Sequence, residues 1–301
     1  MAIIPVIPDA PSGVSAIAYL TSMLEKYAPV FFLIVARLLG LTLQAPFFSG
    51  KSVPTQVRAT LIVTLAMMYM LTIQPKVPDL PSDFIKYSML MIQEALIGVI
   101  FGFCASIIIA AIQAAGEILD IQAGLSMVTL FNPQTKTQSS ATGRLFSQIE
   151  LTVFIFAQGH LYLLAAFFNT FDLIPLGKFN FSSPIVIHQF INIASKLFYV
   201  SIQLALPVLI VLFIIDFSLG ITNKVSPQIN VLELNFAMKP TTSMIILLVI
   251  MSSLVTIMSE FSLEAVKDSI TMTKVMGKAI RQEDARKAKD HEDKFAKPLI
   301  N

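Results

Sequence analysis

The chain has 301 residues, of which 55% are hydrophobic and only 13% charged, with a formal net charge of +2 and a mean hydropathy of +0.76. A soluble domain carries about 25% charged residues, so a chain this apolar cannot clothe a water-facing surface and needs lipid, protein partners or both. No basic face interleaved with aromatics points to nucleic acid, and a single cysteine, Cys104, excludes an intrachain disulfide.

The N-terminus does not read as a signal peptide, because the first basic residue is Lys26 and Pro5, Pro8 and Pro11 interrupt the apolar stretch. Six apolar segments follow, at about 28–48, 58–74, 89–115, 145–168, 197–222 and 243–266, each near the roughly 20 residues that span a bilayer as a helix. Turn chemistry separates them, at Ser49-Gly50, Pro75 to Pro81, Asn132-Pro133, Pro175 to Gly177 and Ser226-Pro227. No segment alternates with period two, so the fold class is all-α. The division expected is a helical part over 1–266 and a charged, solvated tail over 267–301.

Every segment except the second holds a charge within or near its end: Arg37, Glu94, Glu150, Asp216 and Glu260. One charge at the centre of a lipid-facing helix costs about 2.5–3.5 kcal/mol on insertion scales. Such residues either snorkel from helix ends, pair across helices or face a polar channel. The inter-segment loops share their Lys and Arg evenly, whereas the tail after Glu264 is rich in both. Positive charge therefore places the tail in the cytoplasm and leaves the remaining topology without a conventional alternation. Tryptophan is absent while phenylalanine reaches 23, which suits packing against protein as much as anchoring in lipid.

The third segment carries Gly98, Gly102, Ser106, Ala110 and Ala114 at four-residue intervals, a stripe of small side chains on one helix. Such a stripe lets backbones approach closely, either inside this chain or against a helix of another subunit. Glu117 and Asp120 follow one turn apart, with Gln122 and Gly124 beyond. Two carboxylates at that spacing suit acid–base chemistry or structural hydrogen bonding; no nucleophile–histidine pair accompanies them. His160, His188 and His291 are scattered and no phosphate loop or dinucleotide fingerprint occurs. No catalytic residue, cofactor site or metal site is expected. The apolar run Leu125 to Pro133, flanked by the polar Gln134 to Thr142, suits either a pore plug or a packed connector. In the fifth connection Ser226, Pro227, Gln228 and Asn230 offer hydrogen bonds to a backbone broken by proline. A secondary transporter using Glu94, Glu150 and Asp216 as ion sites is the rival reading, although no internal repeat of broken helices supports it.

Four groups of residues resemble the FliR/SctT family of type III export-gate proteins. They are Ala36-Arg37 with Gly40, Pro46, Ser49, Pro54 and Arg58; Gly116-Glu117 through Asp120, Gln122, Gly124 and Ser126; Asn132-Pro133; and Ser226-Pro227-Gln228-Ile229-Asn230-Val231 followed by Lys239. They occur in the family's order across most of the chain, and the flagellar branch, FliR, fits best. The resemblance implies membrane-associated helical hairpins, a FliP-like part fused to a FliQ-like part, with much of the complex lifted out of the membrane plane. It implies a subunit of a gate built with FliP-like and FliQ-like partners, and FlhB-like and FlhA-like components nearby. Unfolded flagellar proteins would pass through that gate at the basal body in the inner membrane. The segment Leu125–Thr142 would then be the plug, sealed by Met127, Leu130 and Phe131 beside Asn132 and Pro133, because apolar constrictions close pores by dewetting.

Overall fold

In the computed structural model the residues described are 13–45, 48, 53–73, 81, 83–126, 140–178 and 183–295. Among them the chain forms seven α-helices: α1 (Gly13–Gln44), α2 (Thr55–Ile73), α3 (Phe84–Gln122), α4 (Ala141–Phe156), α5 (Gly159–Leu173), α6 (Pro184–Val225) and α7 (Val231–Phe295). No strand occurs among the described residues, as the lack of period-two alternation implies. The helices α1, α3, α6 and α7 are each long and apolar enough to cross a membrane, and the bent pair α4–α5 would make a fifth span.

The helix α3 is the spine. Its 39 residues extend about 58 Å at 1.5 Å per residue, and it packs against α1, α4, α6 and α7. Two hydrophobic cores share it. One gathers α1, α2 and α5 around Phe101 and Ala105. The other gathers α4, α6 and α7 around Ile108, Ile112 and Leu119. One helix can serve both because apolar residues cover more than one of its faces, so it presents a different apolar face to each core.

Two boundaries differ from the sequence expectation. The fourth apolar segment is two helices meeting at 71°. Gln158 adopts a left-handed backbone at φ 58, and a Cβ on Gly159 would sit 2.5 Å from the Phe154 ring. The bend is thus set by local packing that hydropathy does not register. The second difference lies in the tail. Helix α7 runs unbroken past position 266, and Met272, Met276, Ala279 and Ile280 lie in the core. The fully solvated part of the helix starts only at Arg281, because every third or fourth residue before it is apolar and turned inward.

Candidate functional site

Two polar networks lie along α3, one toward each of its ends. At its N-terminal end α1 and α3 cross in backbone contact. A Cβ on Gly40 would overlap the Ala95 carbonyl oxygen, and one on Gly98 would overlap that of Arg37. A Cβ on Gly102 would stand 3.0 Å from the Leu41 carbonyl oxygen. Three of the five stripe residues, Gly98, Gly102 and Ser106, therefore meet α1 inside the chain. Ser106 is half-buried and accepts a 3.3 Å hydrogen bond from Gln44 Nε2. Ala114 is half-buried and Ala110 exposed, so the stripe winds off α1 after about two turns and only its second half stays available to a neighbour.

This close crossing sets Arg37 beside Glu94. Both are essentially sealed from solvent, and Arg37 Nε donates to Glu94 Oε2 at 2.6 Å. Arg37 also donates to the Thr170 hydroxyl at 3.4 Å and to the Ile174 carbonyl at 3.1 Å. Its guanidinium lies 4.3 Å from the centre of the Phe171 ring. Glu94 Oε1 accepts from the backbone N–H of Gly177 at 2.8 Å. Gly177 has φ +78, a left-handed conformation that glycine adopts without a steric penalty. One ion pair thus ties α1, α3, the C-terminus of α5 and the following turn. A buried pair is tolerable only when its remaining donors and acceptors are satisfied in this way.

Glu150 is also sealed, and its Oε1 accepts from the Ser262 hydroxyl, joining α4 to α7. Asp216 is one-third exposed; it pairs with Lys239 Nζ at 2.6 Å and accepts from Gln122 Nε2 at 3.1 Å. Four of the five charges expected inside apolar segments therefore lie at contacts between helices. Glu260 stands on the surface.

At the C-terminal end of α3 a second close approach occurs. A Cβ on Gly116 would meet the Gly143 backbone at 2.5 Å, which seats the start of α4 directly on α3. Asp120, 3% exposed, turns to that junction. Its Oδ2 accepts from the Ser140 hydroxyl at 2.6 Å and from the Thr142 N–H at 3.1 Å. Ser140 in turn caps α4, its Oγ accepting from the Gly143 N–H at 2.8 Å. On the other side Gly124, at φ +77, ends α3, and the Ser126 N–H donates to the Asp120 carbonyl at 3.4 Å. Asp120 therefore holds both ends of the segment that joins α3 to α4. The expected plug residues Met127, Leu130, Phe131, Asn132 and Pro133 lie outside the described residues.

Glu117 does not join Asp120. It is exposed and accepts from Gln113 Nε2 at 2.9 Å, so the two carboxylates face different surroundings and do not form an acid–base couple. In the α6–α7 turn Pro227, Gln228 and Asn230 are exposed. Asn230 caps α7: its Oδ1 accepts from the Glu233 N–H at 3.4 Å and its Nδ2 donates to Glu233 Oε2 at 3.3 Å. Sequence reasoning missed Thr170, Gly177, Ser140 and Gly143 as partners. No spacing marks those four; what the sequence does mark is the α1–α3 crossing, since Arg37 and Gly40 are three apart and Glu94 and Gly98 four apart, so each helix sets a charge beside a glycine on one face.

The structure defines a class: an all-helical membrane protein in which most charges inside apolar helices are held by other helices of the chain. Residues 28–265 match the model of bacterial export proteins, family 1, and the chain belongs to that family. It is 31% identical to the flagellar biosynthetic protein FliR of Bacillus subtilis over 238 residues, covering 78% of this chain and 91% of that protein. It is 30% identical to FliR of Escherichia coli over 227 residues, covering 74% and 84%. The Yop proteins translocation protein T of Yersinia pestis is 26% identical over 234 residues, covering 76% and 88%.

Proposed function

We propose that this chain is a core subunit of the flagellar type III export gate, through which unfolded flagellar proteins cross the inner membrane. Its proposed partners are FliP-like and FliQ-like subunits, with FlhB-like and FlhA-like components beside them. Its proposed place is the flagellar basal body, with the C-terminal tail in the cytoplasm. Its role is structural and carries no catalytic step: energy for transport comes from other components. The flagellar reading is favoured over the injectisome one because the FliR relatives are 28–31% identical where the translocation protein is 26% identical.

One observation carries the gating part of this reading. Asp120 holds both ends of the segment between α3 and α4, so the intervening residues leave and return at one point, as a plug hung across a pore requires. Met127, Leu130 and Phe131 are its apolar seal, and an apolar constriction stops ions by dewetting. Shortening the segment within 127–138, with Ser140 and Gly143 kept, is expected to give an assembled complex that conducts ions at rest. Planar-bilayer conductance of the purified complex measures this. An assembled variant with the same resting conductance as the parent would refute the plug.

A further inference from the structure

The family match ends at residue 265, yet α7 continues to Phe295. Along this extension the charges are sorted by sign. The acids point inward or are engaged. Glu264 and Asp268 both bind Lys196 of α6. Asp284 binds Lys178, and Glu283 binds Lys287. The cations Lys267, Lys274, Lys278 and Arg281 are exposed, and none of them makes an ion pair with a described residue. Their spacings of seven, four and three residues keep them within a narrow arc on one face of the helix. The opposite face is anchored by Met272, Met276 and Ile280 in the core, and a Cβ on Gly277 would stand 2.7 Å from the Leu173 carbonyl oxygen. The helix cannot roll to hide the cations without leaving that core.

The same outer face, followed toward the N-terminus of α7, carries Leu263 one turn before Lys267, then the exposed Glu260 and Thr256, and beyond them Val249 and Ile245. These apolar side chains are 42%, 74% and 56% exposed. One helix face thus passes from apolar at Val249, across Thr256 and the single acid Glu260, to basic from Lys267 onward. Val249 lies about 27 Å from Lys267 along the axis, against about 20–22 Å from the middle of a bilayer to the outer edge of its headgroups, so a helix tilted by about 35° brings Lys267 to that edge. We propose that the start of this basic stripe, Lys267 and Lys274, binds anionic phospholipid headgroups and ties the extension of α7 to a lipid surface. The cations sit where snorkelling side chains reach phosphate, and anionic lipid attracts each such cation. An acidic protein laid along the stripe is the other possible occupant. It would engage all four cations alike, whereas a headgroup layer acts over about one Debye length of 10 Å. Lys278 and Arg281 lie about 16 and 21 Å beyond Lys267. This inference does not depend on the gate reading.

The test uses the full chain in its purified assembly, reconstituted into nanodiscs of phosphatidylcholine alone or with about one third phosphatidylglycerol. Native mass spectrometry after ejection counts the retained lipids. The parent is expected to keep phosphatidylglycerol in preference to phosphatidylcholine. K267Q or K274Q should each lower that preference about fivefold, and K278Q or R281Q less than about twofold. The charge-preserving K267R/K274R protein should behave as the parent, which separates lost charge from lost folding. Equal retention of the two lipids by the parent would overturn the proposal, as would an equal loss from all four single substitutions. Release of a bound acidic subunit with unchanged lipid retention would assign the stripe to protein and overturn it too.

Discussion

The two ends of α3 hold polar groups inside an apolar bundle by opposite means. At one end the glycine crossing seats α1 on α3 with no side chain between them, and Arg37 and Glu94 are 0% and 1% exposed. Every partner is a group fixed by a helix or a tight turn. At the other end, about 40 Å along the helix, Asp216 is 33% and Lys239 14% exposed, and Asp120 clasps a helix cap rather than another helix core. The first end is dry and connects four elements; the second is partly wet and sits at the root of a connecting segment. In the first, strong electrostatics at low dielectric make each group indispensable to the others. In the second, water can replace a lost partner of the Asp216–Lys239 pair, so that contact can change without unfolding the molecule.

Single substitutions in the dry pair test this contrast most severely. Arg37→Leu or Glu94→Leu leaves an uncompensated buried charge and is expected to cost about 3–5 kcal/mol. The double variant R37L/E94L should recover most of that loss, because an apolar pair of similar volume is often neutral. Thermal unfolding of the purified complex measures all three. A loss in the double equal to the sum of the two single losses would mean that the two side chains act independently and that the network is not a unit.

The glycine stripe offers a finer cut along the same helix. Gly98→Ala places a methyl group against the Arg37 carbonyl, which forces α1 and α3 apart and is expected to cost about 2–3 kcal/mol. Ala110→Leu, on the exposed half of the stripe, should leave the chain's own stability within about 0.5 kcal/mol. Loss of co-purifying subunits from Ala110→Leu alone would show that this half of the stripe packs between chains. If Ala110→Leu assembles normally, the stripe serves only this chain.

At the other end, Asp120→Ala removes two hydrogen bonds to a charged acceptor, with an expected cost of about 2–3 kcal/mol. It should also raise the resting conductance of the assembled complex, since the segment it roots is no longer held at both ends. Asp120→Asn, which keeps one acceptor oxygen, should fall between the parent and Asp120→Ala in both readouts. A conductance that follows neither variant would detach the clasp from gating.

Much of the architecture is readable from residues, and the reasons for the rest are specific. The all-helical class follows from long apolar runs without alternation, and of the three fates that the sequence leaves open to internal charges, contact across helices is the one taken by Arg37, Glu94, Glu150 and Asp216. The bend at Gln158 is not readable, because it depends on the Phe154 ring resting on Gly159 in three dimensions. Nor is the depth of the C-terminal helix in the core, since its many charges mask Met272, Met276 and Ile280 at helical spacing. Partner identity is least readable of all. Thr170 and Gly177 meet Arg37 and Glu94 across long separations in sequence, and a hydroxyl or a backbone N–H leaves no distinctive pattern there.

The Asp216–Lys239 pair gives the smallest expected effect and the sharpest view of the wet end. Both groups reach solvent, so ordinary screening applies and the pair is worth about 1 kcal/mol or less. Asp216→Asn retains the hydrogen bond from Gln122 Nε2 while removing the attraction to Lys239, and it isolates the ionic part. Its cost should shrink further in high salt, because exposed charges are screened within about 3 Å at 1 M ionic strength. The dry pair should show no such salt dependence, as no ion can approach it. Unfolding midpoints of Asp216→Asn and Glu94→Leu at low and high salt therefore compare the two ends directly. If both variants respond to salt alike, the division of α3 into a fixed end and a releasable end fails. If only Asp216→Asn responds, the α6–α7 hairpin is joined to the end of α3 by a contact that water and ions can open, next to the segment rooted at Asp120.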